Sequence, residues 1–278
     1  MVGPGLRLTA RAQGRGIAAA RSWSPSELLL AGTLLALAAV AWLLTVVLAM
    51  PGMESGVLTG LHPMEGMGNG TAPGAAVLFL ATWMLMMAAM MLPAVTPFMV
   101  GMRRLLGARA GGGTLGALVA GYLLVWGLSG VLGYAVVQAF ENLAMRGDAV
   151  VAVRAGAAVL VAAGVYQFTP LKHWCLVRCR SPLALVVRYA APATRNRRGA
   201  LRVGVVHGGY CLGCCWALMG VLLAAGVMSL IWMAAIAGVI TLEKVLPRAE
   251  TFALGIGVVL LGLGAVLLAA PHLVAAPM

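Results

Sequence analysis

Charge is scarce in this chain. Only 9% of its 278 residues are Asp, Glu, Lys or Arg, and seven of them are acidic. Hydrophobic residues make up 62%, and the mean hydropathy is +1.01. A soluble domain of this size cannot hide that much apolar surface. Other absences narrow the chemistry. The sequence holds no nucleotide-binding loop, no Ser/His/Asp arrangement and no carboxylate pair suited to hydrolysis. An enzyme is therefore not expected.

What is present instead is a series of apolar runs of about 20 residues, each long enough to cross a hydrocarbon core of ~30 Å. They show no alternation, which favours helices over a barrel. The expected fold is all-α: a polytopic transmembrane helical bundle over residues 28–274 with about seven spans. These fall near 28–50, 75–100, 115–140, 149–169, 204–224, 226–242 and 251–271. Six spans result if 204–242 forms a re-entrant element instead. Almost no loop separates the fifth run from the sixth, around Ala225–Gly226, so a tight helical hairpin is expected there. Pro93 and Pro97 predict a kink in the second span, and Pro170 predicts a helix boundary after the fourth.

The net charge of +12 does not point to nucleic acid, because the basic residues gather between the apolar runs. Four lie in the first 27 residues, three in 101–114, eight in 170–203 and two in 243–250, so seventeen of nineteen fall on one side if the N-terminus is cytoplasmic. Only Arg146 and Arg154 fall elsewhere, and Arg154 can snorkel to the interface. The expected setting is the lipid bilayer of the bacterial cytoplasmic (inner) membrane, crossed several times. Residues 1–27 read as a basic, disordered cytoplasmic tail rather than a cleaved signal peptide.

Soft ligands are concentrated at four places. The second span reads WMLMMAAMMLPAVTP, where Met84, Met87 and Met91 share one helical face. Thioethers are neutral, soft ligands suited to Cu(I), although methionine is also an adaptable packing residue. The outer loop after the first span carries MPGM at 50–53 and HPMEGM at 62–67, with Met50, Met53, His62, Met64 and Met67. After Pro170, Cys175 and Cys179 stand four apart, so a helix would place them on one face, beside Lys172, Arg178 and Arg180. The fifth span holds HGGYCLGCCWALM. On a helix His207, Cys211 and Cys214 fall within about 60°, Cys215 is i+4 from Cys211, and Met219 continues the line. His207 lies about 10 Å along the axis from Cys214, too far to share one ion. It and Met219 suit a relay or a supporting role. The cytoplasm is reducing, which disfavours a structural disulfide. Packing of small residues, helped by Gly208, Gly209 and Gly213, is the competing explanation for this segment.

Three segments in order, WMLMMAAMMLPAVTP, YQFTPLKHWCLVRCRSPL and HGGYCLGCCWALMGVLLAAGVMSLIWMAAIAGVITLEK, resemble the bacterial family known as domain of unknown function 2182. Its members are described as predicted metal-binding integral membrane proteins. The resemblance covers about residues 75–250. It implies metal binding, without naming the ion or a mechanism, and its pattern includes the ligand candidates Met84, Met87, Met91, Cys175, Cys179, His207, Cys211, Cys214, Cys215 and Met219. Gln167, Lys172, Arg180, Glu243 and Lys244 also fall on the family pattern.

Ligand softness selects Cu(I) as the expected metal. The first expectation is a membrane protein for passage or delivery of that ion, working with a copper chaperone or a cuproenzyme assembly and with no nucleic acid. A thiol redox protein built on the Cys211–Cys214 C-x-x-C is the second. A non-catalytic membrane scaffold subunit is the third. The adjacent Glu243 and Lys244 cannot face each other on a helix. One of them is expected to pair with another segment, such as Arg180 or Lys172.

Overall fold

The computed structural model describes residues 23–48, 73–107, 111–146, 149–180, 196–226 and 229–271. The basic tail up to Ser22 and the loop methionines Met50, Met53, Met64 and Met67, with His62, lie outside the described residues. Among the described residues the secondary structure is helical throughout, with no strand.

The described residues form eight helices in order: α1 Pro25–Leu48, α2 Pro73–Leu106, α3 Gly112–Arg146, α4 Ala149–Gln167, α5 Pro170–Arg180, α6 Arg197–Ala225, α7 Leu230–Val245 and α8 Ala249–Ala269. Five of them, α1, α2, α3, α6 and α8, are long and apolar enough to cross a membrane by length and composition, and α4 contains a shorter apolar stretch. The chain therefore has the character of a multi-pass membrane protein. Each of the seven apolar runs coincides with a helix.

Local chemistry explains several boundaries. Helix α1 starts three residues before the first apolar run, at Pro25. Ser24 and Glu27 form a reciprocal capping box there. Glu27 N donates to Ser24 Oγ, and Ser24 N donates to Glu27 Oε2 at 3.0 Å. The same carboxylate meets Arg104 at 3.0 Å, which ties the start of α1 to the end of α2. Pro93 and Pro97 both sit inside α2, which continues through them as one helix. Helix α4 stops at Gln167, and Pro170 then opens α5 as its first residue, where proline costs no hydrogen bond. Helix α6 begins at Arg197 behind an Asn196 cap, whose side-chain oxygen accepts from Gly199 N at 2.7 Å. It ends at Gly226, whose φ of 128° few side chains tolerate.

Helix α6 is the centre of the bundle. In its most apolar stretch 61% of residues are buried, against 22–44% in the other four long helices. Helix α3 runs closest to it. At Gly121 an added Cβ would strike Leu201 O, and at Gly204 it would strike Leu118 O, so the two backbones meet where neither helix has a side chain. Helices α4, α5 and α7 pack on its other faces, α2 meets it through Phe98 on His207, and α8 packs on α4. Leu35, Leu43, Val47, Leu132, Val258 and Leu263 remain outward on α1, α3 and α8, as a lipid-facing surface requires.

Candidate metal-handling site

The site begins with α5, only eleven residues long. Lys172, Cys175, Leu176 and Cys179 share its buried face. That is the helical i, i+3, i+4, i+7 pattern, and it places both thiols against the bundle. The facing residue on α6 is Gly213. A Cβ there would lie 2.7 Å from Cys175 Sγ, so the glycine makes room for the sulfur. Tyr166, near the end of α4, donates to Gly213 O at 2.6 Å and closes the same contact from the side.

The two cysteine segments therefore meet. The Cys179 thiol lies close to Cys211 and Cys214, and Cys214 and Cys215 flank Cys211 on the same helix. All five cysteines are buried and free of disulfides. Cys211 and Cys214 hold the Cys179 thiol well above the usual range, and burial adds to this. Burial pushes the Cys175 thiol up as well, with a smaller effect from Cys214. Both α5 sulfurs are thus protonated thiols at neutral pH. Cys214 and Cys215 donate to the Cys211 carbonyl at 3.1 and 2.9 Å. The sulfurs are gathered, but they point at backbone. Among the described residues, no three His, Cys, Asp or Glu side chains stand in the arrangement that would hold an ion.

The cation nearest the cluster comes from α7. Lys244 Nζ stands 2.9 Å from Cys211 Sγ, and Tyr122 Oη on α3 stands 3.0 Å from the same sulfur. Lys172, Arg178 and Arg180, which flank the α5 cysteines in sequence, are engaged elsewhere. Lys172 pairs with Glu243 at 2.7 Å, both almost completely buried. Arg178 stacks on Trp174 at 3.8 Å. Arg180 donates to the Lys244 and Leu246 carbonyls. Pairing of Glu243 with Lys172 is one of the expected ion pairs. The Lys244–Cys211 contact is not legible from spacing, because the two residues are 33 positions apart on different helices. The C-x-x-C does not sit at a helix start: α6 begins at Arg197, so Cys211 lies about four turns inside it, beyond reach of the helix N-terminus.

The remaining ligand candidates have other neighbours. His207 is buried, stacks on Phe98 of α2 at 3.5 Å between ring centres, and lies 5.7 Å from the Tyr122 ring. Its Nδ1 has no hydrogen-bond partner, one of three such buried atoms, with Trp126 Nε1 and Gln167 Oε1, among the described residues. Met87 and Met91 are fully buried in α2, as are Met86, Met90, Met99 and Met102. Met84 is half-buried, with its sulfur against Gly127 of α3. Met219 is buried deeper in α6. The structure thus gathers the five cysteines where α5 meets α6, in a core that also holds Met87, Met91 and Met219, with His207 stacked on Phe98 and Met84 half-buried. Met99 and Met102, absent from the sequence reading, stand three apart and extend the thioether content of α2 by about three turns beyond Met91.

A family model described as PpoB2, copper chaperone, matches residues 80–267, from early α2 to the end of α8. That range contains all three segments on which the resemblance to domain of unknown function 2182 rests. No curated protein and no solved structure matches the chain.

Proposed function

The chain belongs to the PpoB2 copper chaperone family, and from that premise we propose that it binds Cu(I) with Cys and Met side chains, for passage or delivery of the ion at the bacterial inner membrane. The observation that carries the reading is the convergence of Cys175 and Cys179 on Cys211, Cys214 and Cys215, from segments more than thirty residues apart. Thiolate and thioether are the donors Cu(I) prefers. The thiols now bonded to the Cys211 carbonyl would turn toward the incoming ion and lose their protons, so binding is coupled to proton release. Met84, Met87, Met91 and Met219, with His207, would offer weaker, exchangeable sites within the core, and the cysteines a tighter one. Movement needs sites weak enough to leave.

Seven spans with a cytoplasmic N-terminus would put the cysteine cluster at the inner face, next to soluble acceptors such as a copper chaperone or a cuproenzyme under assembly. The test is Cu(I) titration of the purified chain. Stoichiometric binding in the wild type and its loss in Cys211→Ser/Cys214→Ser is expected. A wild type that binds no Cu(I), or a double variant that binds as well, overturns the reading.

A second reading, thiol redox chemistry at Cys211–Cys214, draws on the Lys244 ammonium beside Cys211. Alkylation trapping separates the two. A redox protein shows an oxidised pool that shifts with growth conditions, whereas a Cu(I) carrier keeps its thiols reduced.

A further inference from the structure

Helix α5 carries two of the five thiols, yet it has little to hold it in place by itself. At eleven residues it is shorter than helices that persist alone. It packs mainly on α6, while its polar ties concentrate on the last turn of α7. Near its start, Lys172 Nζ lies 2.7 Å from Glu243 Oε2. At its end, Arg180 donates to the carbonyls of Lys244, at 3.0 Å, and of Leu246. The second oxygen of Glu243 accepts from Gln167 Nε2, at 3.2 Å, on the last residue of α4. One carboxylate thus joins α4, α5 and α7.

This carboxylate is 1% exposed and its lysine partner 2%. A buried ion pair is weak evidence for stability, since an apolar pair of the same volume often does as well. What it does impose is direction. It fixes one face of α5 against the bundle, and Cys175 and Cys179 lie on that same face between the two ties. Gly213 leaves the gap into which the Cys175 sulfur fits only at this register.

We propose that Glu243 is a positioning residue: by holding Lys172 and Gln167 on one carboxylate, it sets α5 on α6 and so brings Cys175 and Cys179 to the Cys211, Cys214 and Cys215 cluster. The inference deepens the Cu(I) reading and rests on it for its functional meaning, while the positioning itself is measurable without metal.

The test uses the full chain with Cys179 and Cys214 as its only cysteines (Cys175→Ser, Cys211→Ser, Cys215→Ser), cross-linked in membranes with diamide and scored by mass after alkylation. The pair is expected to cross-link readily. Glu243→Gln and Lys172→Met should each slow cross-linking at least fivefold, and the exchange Lys172→Glu with Glu243→Lys should restore most of the rate. Cross-linking at the starting rate in Glu243→Gln overturns the proposal. So does a monodisperse exchange variant as slow as the single variants, or a starting pair that does not cross-link. In parallel, Glu243→Gln with all five cysteines present should bind Cu(I) at least tenfold more weakly. If the wild type binds no Cu(I) while the cross-linking follows expectation, the copper reading fails and the positioning role stands. If Cu(I) binds but cross-linking is indifferent to Glu243, the positioning role fails alone.

Discussion

The Lys244 ammonium and the Cys211 sulfur stand 2.9 Å apart, and both groups are buried. Lysine has no acceptor of its own, so a buried ammonium depends on the acceptors around it. Removing the sulfur should therefore cost more than an ordinary cavity. Cys211→Ala is expected to destabilise the folded chain by about 1.5–3 kcal/mol, the range for a lost hydrogen bond to a charged group. Cys211→Ser should cost less, because its hydroxyl oxygen can still accept from Lys244 and Tyr122. Thermal unfolding in detergent measures both. Equal losses in the two variants would mean that the contact carries little.

Cu(I) retention should separate from stability in the same pair of variants. Neither alanine nor serine offers sulfur, so both are expected to lose at least tenfold in Cu(I) affinity, measured by competition with a chromogenic Cu(I) chelator. Cys211→Ser then becomes the informative variant, near-native in fold and poor in binding. A serine variant that retains wild-type affinity would place the ion elsewhere.

Two glycines on α6 should respond in opposite directions. At Gly204 an added Cβ would strike Leu118 O, and a backbone carbonyl cannot step aside, so Gly204→Ala should force α3 and α6 apart and cost about 1–3 kcal/mol. At Gly209 nothing lies within 4 Å of an added Cβ, and Gly209→Ala should stabilise the helix by about 0.5–1 kcal/mol. Unfolding temperatures of the two variants check this together. A tolerated Gly204→Ala would contradict the close approach of the two helices.

The thioethers of α2 are tested by a volume-conserving change. Met87 and Met91 are completely buried, and leucine fills a similar space at a cost of less than about 1.5 kcal/mol. If these residues only pack, Met87→Leu/Met91→Leu should leave copper handling as it was. If they offer exchangeable sites, cells carrying the variant should deliver copper at least threefold more slowly to a reporter cuproenzyme, while the purified protein still binds Cu(I) at its cysteines. Unchanged delivery would assign the methionines to packing.

The sequence made the helices and their approximate limits legible because hydropathy is a local property, readable in one window at a time. The exceptions are terminal. The Ser24–Glu27 capping box lengthens α1, and the Asn196 cap starts α6 seven residues before the expected span. Convergence of the cysteines was expected from the shared side of the charge tally, but their packing was not readable. It depends on Gly213 leaving room for Cys175, a contact between helices. Lys244 was missed as a partner for Cys211 for the same reason. A contact across helices leaves no trace in spacing, whereas Cys175 and Cys179 on one face follow from the helical period alone.

His207 offers the last discrimination. Its ring lies flat on Phe98, with an interplanar angle of 9°, and its Nδ1 has no partner. A buried nitrogen left unbonded costs about 1–3 kcal/mol, so a purely structural histidine would be an expensive choice. His207→Phe keeps an aromatic ring on Phe98 and removes that nitrogen, and the folded chain should remain within about 1 kcal/mol of wild type or gain stability. His207 lies about one turn before Cys211 and about two turns before Cys214 on α6, and its ring is packed on Phe98, so the number of Cu(I) ions held at the cysteines should not change. Copper delivery should fall at least threefold if the nitrogen relays the ion between the α2 thioethers and the thiols. Wild-type delivery in a stable His207→Phe protein would reduce this residue to packing and leave the cysteine cluster to act without it.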